Sequence, residues 1–241
     1  MVFNDTSASK TGLIQECEFL LFGDQGYGKI SGTTTLLATF TRLINHGLNS
    51  AASLIMQADN RWQFDDTNQT DFPIGTTTLT ASQADYALAV THVRIERVEV
   101  KDEEGNWHLL QPIDQSDVYD TSLTDFLKTA GLPRFYDKTA NSLVLYPKPD
   151  YTQSASLKVY FQRPPSYFTT ASTTAVPGFN SLYHRLVALY AARDYAVARG
   201  LKQKNDLAQL VLVEEQKLQD DYSLRNKDEK LGLKVRKYNF R

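Results

Sequence analysis

Apolar residues recur at spacings of three and four toward both ends of the chain and at spacings near two in its middle, and that change of period predicts the architecture. Between Thr11 and Phe22, Leu13, Cys17, Leu20 and Leu21 fall on one side of a short helix, which the glycine-rich link Gly23 to Gly32 ends. The hydroxyls of Thr33 to Thr35 then precede Leu36, Phe40, Leu43, Ile44, Gly47, Leu48, Ala51, Leu54, Ile55 and Ala58. That stripe runs for about seven turns and is the strongest helix signal in the sequence. Gly47 inside it costs about 1 kcal/mol of helix propensity relative to alanine, which the stripe outweighs if it packs against partners.

After Asp59 the character changes. Arg61 to Asp66, Asp71 to Thr80 and Thr91 to Val100 are rich in threonine, aromatic and β-branched residues, punctuated by Pro73 and Gly75, and read as strands. Val93, Ile95, Val98 and Val100 alternate with charged residues except for one step out of phase at Glu96 and Arg97, which predicts a bulge. The acidic turn Asp102 to Asn106 then leads into Trp107 to Leu110 and completes a hairpin. Ser116 to Thr129 reads as a short helix or two turns. Leu143 to Tyr146 and Leu157 to Phe161 are two further strands, each closed by prolines, and the polar loop Lys148 to Ser156 between them predicts an antiparallel pair. Residues 59–168 thus make a β-rich insert of about five to seven short strands.

The small, polar link Thr169 to Gly178 marks a boundary, and two helices follow. Leu182, Leu186, Leu189 and Val197 trace a stripe padded by Ala188, Ala191, Ala192 and Ala196, with Gly200 placed to end the helix. From Gln203 onward, Leu207, Leu210, Val211, Leu218 and Tyr222 form a second stripe. The predicted fold is α+β, a helical bundle formed by the N- and C-terminal helices with a β-rich insertion and an extended C-terminal arm. Its parts are 1–58 (N-terminal arm and bundle helices), 59–168 (insert), 169–226 (the helical pair completing the bundle) and 227–241 (arm). Residues 1–10 are small and polar and would be disordered unless a neighbour orders them.

Composition removes several function classes. A formal charge of −2 argues against a dedicated nucleic-acid binder, and no apolar run is long enough to cross a bilayer. The single cysteine, Cys17, lies on the apolar side of a helix and excludes internal disulfides. The N-terminus lacks the pattern of a signal peptide, so an intracellular, reducing origin is expected.

Gly23-Asp24-Gln25-Gly26-Tyr27-Gly28-Lys29 matches the phosphate-cradling GxxxxGK loop, but Ile30 stands where Ser or Thr must hold magnesium, and a helix rather than a buried strand precedes it. A flexible glycine turn is the better reading, with P-loop-like nucleotide binding a remote alternative. The carboxylates Asp65, Asp66 and Asp71, and Asp102, Glu103 and Glu104, have neither glycosidase nor calcium-loop spacing. His46, His92, His108 and His184 sit on separate elements without metal-ligand spacing. No catalytic, cofactor or metal residues are expected. Trp62, Trp107 and Tyr119 are the rings that an alternative tail-associated carbohydrate-binding module would use. The last eleven residues carry Lys234, Arg236, Lys237 and Arg241 with no acid, interleaved with Leu233, Val235, Tyr238 and Phe240. Such an arm suits a groove on a partner.

The segments LLATFTRLINHGLNSAASLIMQADNRWQFDD, TDFPIGTTTLTASQADYAL, VRIERVEVKDEEGNW, GLPRFYDKTANSLVLYPKP, LKVYFQRPPSYF and PGFNSLYHRLVALYAARDYA, in this order, resemble the head-to-tail adaptor (connector) proteins of tailed bacteriophages. The resemblance covers roughly residues 10–225. It implies a non-enzymatic structural virion protein of the neck, assembled in the host cytoplasm as a ring, a dodecamer by that resemblance. The ring would dock on the portal protein, surround the DNA channel without sequence-specific contacts, and offer a surface to the tail or next neck protein, with no membrane partner. In the resemblance Lys234 to Arg241 stands where the portal-binding segment is expected. Asp102, Glu103 and Glu104 are expected in a loop facing the channel or the tail.

Overall fold

A computed structural model describes residues 1–58, 73–114, 128–139 and 141–225. The chain divides into two compact units, Met1–Gln69 with Pro165–Arg241, and Thr70–Pro164. Among the described residues the first unit contains α1 (Leu13–Phe22), α2 (Thr34–Ala58), α3 (His184–Arg199) and α4 (Lys204–Arg225). The second contains β1 (Ile74–Leu79), β2 (Asp85–Ala87), β3 (Arg94–Lys101), β4 (Trp107–Leu109), β5 (Gln111–Pro112), β6 (Phe135–Lys138), β7 (Ser142–Tyr146) and β8 (Gln153–Gln162). The fold is α+β, as the change of period predicts.

The helical unit is organised around α3, which touches α1, α2 and α4. Leu186 to Ala192 are all buried, a run too wide for one stripe, and its alanines let neighbours approach from several sides. The α2 stripe supplies Phe40, Ile44, Leu48, Ala51 and Ile55, and α4 supplies Leu207, Val211, Leu218 and Tyr222. Tyr183 meets the Tyr222 ring, whereas Tyr190, about two turns later, bonds Glu215, about two turns earlier, so α3 and α4 run antiparallel. Between them Gly200 takes a left-handed φ of 63°, and its N–H donates to the carbonyls of Ala196 and Val197. Leu182 and Val197 depart from the expected stripe, being 75% and 59% exposed. Leu182 lies in a 3-10 turn before α3, where helical spacing does not govern its direction, and Val197 lies in the last turn before Gly200. Leu210 is likewise outside the α4 core row.

Neighbours order the polar N-terminus. Phe3 donates its N–H to the Ala175 carbonyl at 2.7 Å, Leu13 and Ile14 donate to the carbonyls of Val2 and Phe3, and the fully buried Phe3 ring stacks on Phe168 with centroids 4.7 Å apart. Asn45 on α2 brackets the returning chain, accepting from the Phe168 N–H and donating to the Phe168 carbonyl, both at 2.9 Å. Cys17 is buried and donates its S–H to the Ala188 carbonyl at 3.5 Å; burial pushes its thiol far above the usual range, which makes it a packing residue.

In the second unit two four-stranded sheets have the orders β1-β8-β3-β4 and β2-β7-β6-β5. The out-of-phase step is a bulge: Ile95 pairs with Phe161 and Arg97 with Tyr160, leaving Glu96 as the extra residue. β3 and β4 form the expected hairpin. The predicted pairing of Leu143 to Tyr146 with Leu157 to Phe161 does not occur. β7 pairs with β2 and β6, and β8 with β1 and β3, so the two lie in different sheets. Pro147 and Pro149 supply no N–H with which to continue a ladder out of β7, and both edges of each strand are taken by other partners. Among the described residues there are eight strands, more than the expected five to seven, the short β2, β5 and β6 being too brief to show a period. Leu79, Tyr86, Val98, Val100, Leu143, Leu145, Leu157 and Val159 form the core of this unit. The strand expected at Arg61 to Asp66 and most of Ser116 to Thr129 lie outside the described residues.

Candidate functional site

The glycine-rich link is the place where the sequence comes nearest to a known chemical motif, and its amides already have a partner. Glu18, on the last turns of α1 and fully buried, points its carboxylate into the loop. Its Oε1 accepts from the N–H of Ile30 and of Ser31, both at 2.8 Å, and from Ser31 Oγ at 3.0 Å; its Oε2 accepts from the Gly28 N–H at 3.0 Å. Gly28 has φ +88°, a conformation that an L side chain rarely adopts. The loop is therefore an anion nest closed around an internal carboxylate, and the phosphate-like spacing in the sequence reflects that nest. Lys29 lies with its ammonium 4.9 Å from the centre of the Phe22 ring. Glu18 is a residue that the motif reading missed, although it follows Cys17 on the buried side of α1 and lies about one helical turn before the first glycine, Gly23.

The acidic turn divides into a lock and two free charges. Asp102 accepts the Asn106 N–H at 2.8 Å on Oδ1, while its Oδ2 lies 2.7 Å from His108 Nε2. The hydrogen bond with His108, and then that from Asn106, hold its carboxyl down at about 2. Asp102 thus fixes the hairpin, whereas Glu103 and Glu104 are exposed at its tip. The arm residues Leu233, Lys234, Val235, Arg236, Lys237, Tyr238, Phe240 and Arg241 lie outside the described residues, as do Trp62, Tyr119, Asp65, Asp66 and Asp71.

Trp107 is described, and an ammonium covers its ring: Lys158 Nζ lies 4.0 Å from the centroid and Lys101 Nζ 5.8 Å. That is the surface on which a sugar ring would stack. Among the described residues no three His, Cys, Asp or Glu side chains converge as a metal-ligand set.

A cavity of about 780 Å³ opens in the helical unit beside Phe179, His184, Asp221 and Tyr222. His184, 3% exposed, lies with Nε2 2.8 Å from the Phe179 carbonyl and Nδ1 2.7 Å from the Met1 nitrogen. Burial lowers its pKa, and burial also lowers that of His92, which packs on Phe161. Both are imidazoles whose charged form the fold disfavours, so the unfolded chain protonates first. Their contribution is fully present above the unfolded value of about 6.5 and is lost as pH falls below it. The urea midpoint is expected to drop between about pH 7 and about pH 5, and the slope to become shallower in His184→Gln. An unchanged slope in that variant would show that His184 does not carry the effect.

No helix among the described residues is long and apolar enough to cross a membrane. No curated protein matches the chain. A family model described as SU10 adaptor protein matches residues 33–232, from the start of α2 through both sheets and past the end of α4. With that match extending over far more than half of its 241 residues, the chain belongs to the SU10 adaptor protein family, a family of phage adaptors.

Proposed function

We propose that this chain is a structural component of the neck of a tailed phage, a ring-forming head-to-tail adaptor that docks on the portal vertex, surrounds the DNA channel and provides the tail attachment surface. The observation that carries the reading is the family match over residues 33–232, which takes in α2, α3 and α4 of the bundle together with the β insert. The adaptor family is structural and not an enzyme family. The closed nest around Glu18 agrees with this, because its amides bind a side chain and not a nucleotide phosphate.

The division of labour we infer follows the sequence. Residues 1–58 and 169–226 form the bundle, 59–168 the insert, and 227–241 an arm that reaches the portal. In the arm Leu233, Val235, Tyr238 and Phe240 fill apolar pockets, while Lys234, Arg236, Lys237 and Arg241 meet acidic walls. The partners are the portal protein, further copies of the chain in a ring, a dodecamer in this reading, and the tail or next neck protein. Passing DNA is touched without sequence-specific contacts, and Glu103 and Glu104, at a channel-facing or tail-facing loop, repel it and keep it sliding. Asp102 belongs to the same loop but acts by holding its shape.

The test is sedimentation with the portal protein of the same genome, using the full chain and a version ending at Lys230. The full chain is expected to co-sediment and the shortened one to remain in the supernatant. Failure of the full chain to bind across several salt concentrations would overturn the adaptor reading.

A further inference from the structure

We propose that neighbouring copies recognise each other through two different faces: the outer face of the β1-β8-β3-β4 sheet around Trp107 on one copy, and the outer row of α4 on the next. This rests on the ring reading above and names the surfaces that would make the ring.

The sheet face follows from register. Lys101 pairs with Trp107 across β3 and β4, Glu99 with Leu109, and Glu99 with Lys158 on β8, so these side chains share one face. Val98 and Val100, on the alternate positions, are buried in the core on the other. The outer face leaves Trp107 38% and Leu109 56% exposed. Its one carboxylate, Glu99, is engaged by Arg97 at 2.6 Å and by the Tyr160 hydroxyl at 3.1 Å. Arg97, Lys101 and Lys158 therefore stand as three cations against one carboxylate around exposed tryptophan and leucine. Tryptophan and arginine at the centre of a patch are the side chains that most often carry binding energy.

On α4, Leu207, Val211, Leu218 and Tyr222 turn inward. A second row runs Asp206, Leu210, Val213, Lys217, Asp220, Leu224, at steps of four and three, and all six are exposed. Leu210, Val213 and Leu224 are 41%, 52% and 52% exposed. Lys217 is paired with Glu214 at 2.7 Å, which leaves the row apolar with two outward carboxylates, Asp206 and Asp220. Large apolar groups in a row on a solvent face mark an interaction surface. Its acids match the cations beside Trp107, whereas pairing two α4 rows with each other supplies them only Lys217, which Glu214 already engages.

Because the two faces differ, each copy offers one and receives one. Such a contact is heterologous, and it propagates until a ring closes.

The experiment uses the full chain in sedimentation velocity, with a sheet variant (Trp107→Ala, Lys158→Glu) and a helix variant (Val213→Lys, Asp220→Lys), all at exposed or half-exposed positions and checked for unchanged circular dichroism. The unsubstituted chain is expected to assemble, and each variant alone to associate about a hundredfold more weakly. An equimolar mixture is expected to give a 1:1 heterodimer and nothing larger, since one intact face remains on each partner. If the unsubstituted chain stays monomeric at all concentrations, the ring reading falls and this pairing falls with it. Where the unsubstituted chain assembles and both variants do too, the ring stands and the pairing is wrong. A helix variant that fails beside a sheet variant that assembles would assign the contact to α4 against α4. A mixture containing only monomers also overturns the pairing.

Discussion

Glu18→Ala is expected to destabilise the helical unit by about 3 kcal/mol or more, the largest loss of any single side chain in the glycine-rich region. The carboxylate accepts four hydrogen bonds, three from backbone N–H groups and one from a hydroxyl. Each donor left buried without a partner costs about 1–3 kcal/mol, and water entering the vacated space recovers part of that sum. Two further variants separate the causes. Glu18→Gln keeps an acceptor oxygen for Ile30 and Ser31 but turns an amide N–H₂ toward the Gly28 N–H, so an intermediate loss is expected. Ser31→Ala removes a single donor and leaves the carboxylate with three, so it is expected to cost about 1 kcal/mol. Urea unfolding followed by circular dichroism ranks the three. Equal losses for Glu18→Ala and Ser31→Ala would show that the nest contributes little beyond that hydroxyl.

Gly47→Leu is expected to cost more than about 3 kcal/mol, and Gly47→Ala up to about 2 kcal/mol despite the better helix former. A Cβ built on Gly47 lies 2.9 Å from the Tyr190 Cβ and 3.0 Å from the Val187 carbonyl oxygen. Neither is the free end of a flexible chain, so the two helices must separate. Alanine gains about 1 kcal/mol of propensity, but overpacking a fixed helix contact costs about 1–3 kcal/mol, and the second effect wins here. An alanine variant as stable as the parent, measured by thermal unfolding, would show that α2 and α3 can part at this point without loss. The glycine in the middle of the α2 stripe is therefore a contact requirement.

What could be read from the sequence was whatever a local period carries. The α2 stripe, the C-terminal helix pair, the Gly200 stop and the bulge at Glu96 all depend on residues within a few turns or steps of one another. Partner choice between strands is not local, and the β7 and β8 segments, adjacent in sequence and alike in composition, end in separate sheets. The candidate surfaces were hidden for the same reason. Lys158 covers Trp107 only because β3 lies between β8 and β4, and no spacing within one segment announces that. Glu18 did leave a trace, as an acid beside Cys17 on the buried side of α1, in the helix that leads into the glycine-rich loop; a buried acid needs donors, and the loop has them. Phe3, a single ring in a polar stretch, carried too little pattern to signal its stack on Phe168.

The bracket that Asn45 places on Phe168 has a consequence for synthesis. A ribosome releases this chain from its N-terminus, so α1 and α2 emerge while the residues that cover them, 168 and 175 and all of α3 and α4, are still unmade. The unit Thr70–Pro164 has its strand partners within itself and is complete before them. The buried faces of α1 and α2 therefore wait, uncovered, for more than a hundred residues of translation. That interval is when the nascent chain exposes its apolar helix faces to aggregation, and it closes only when α3 packs against Gly47.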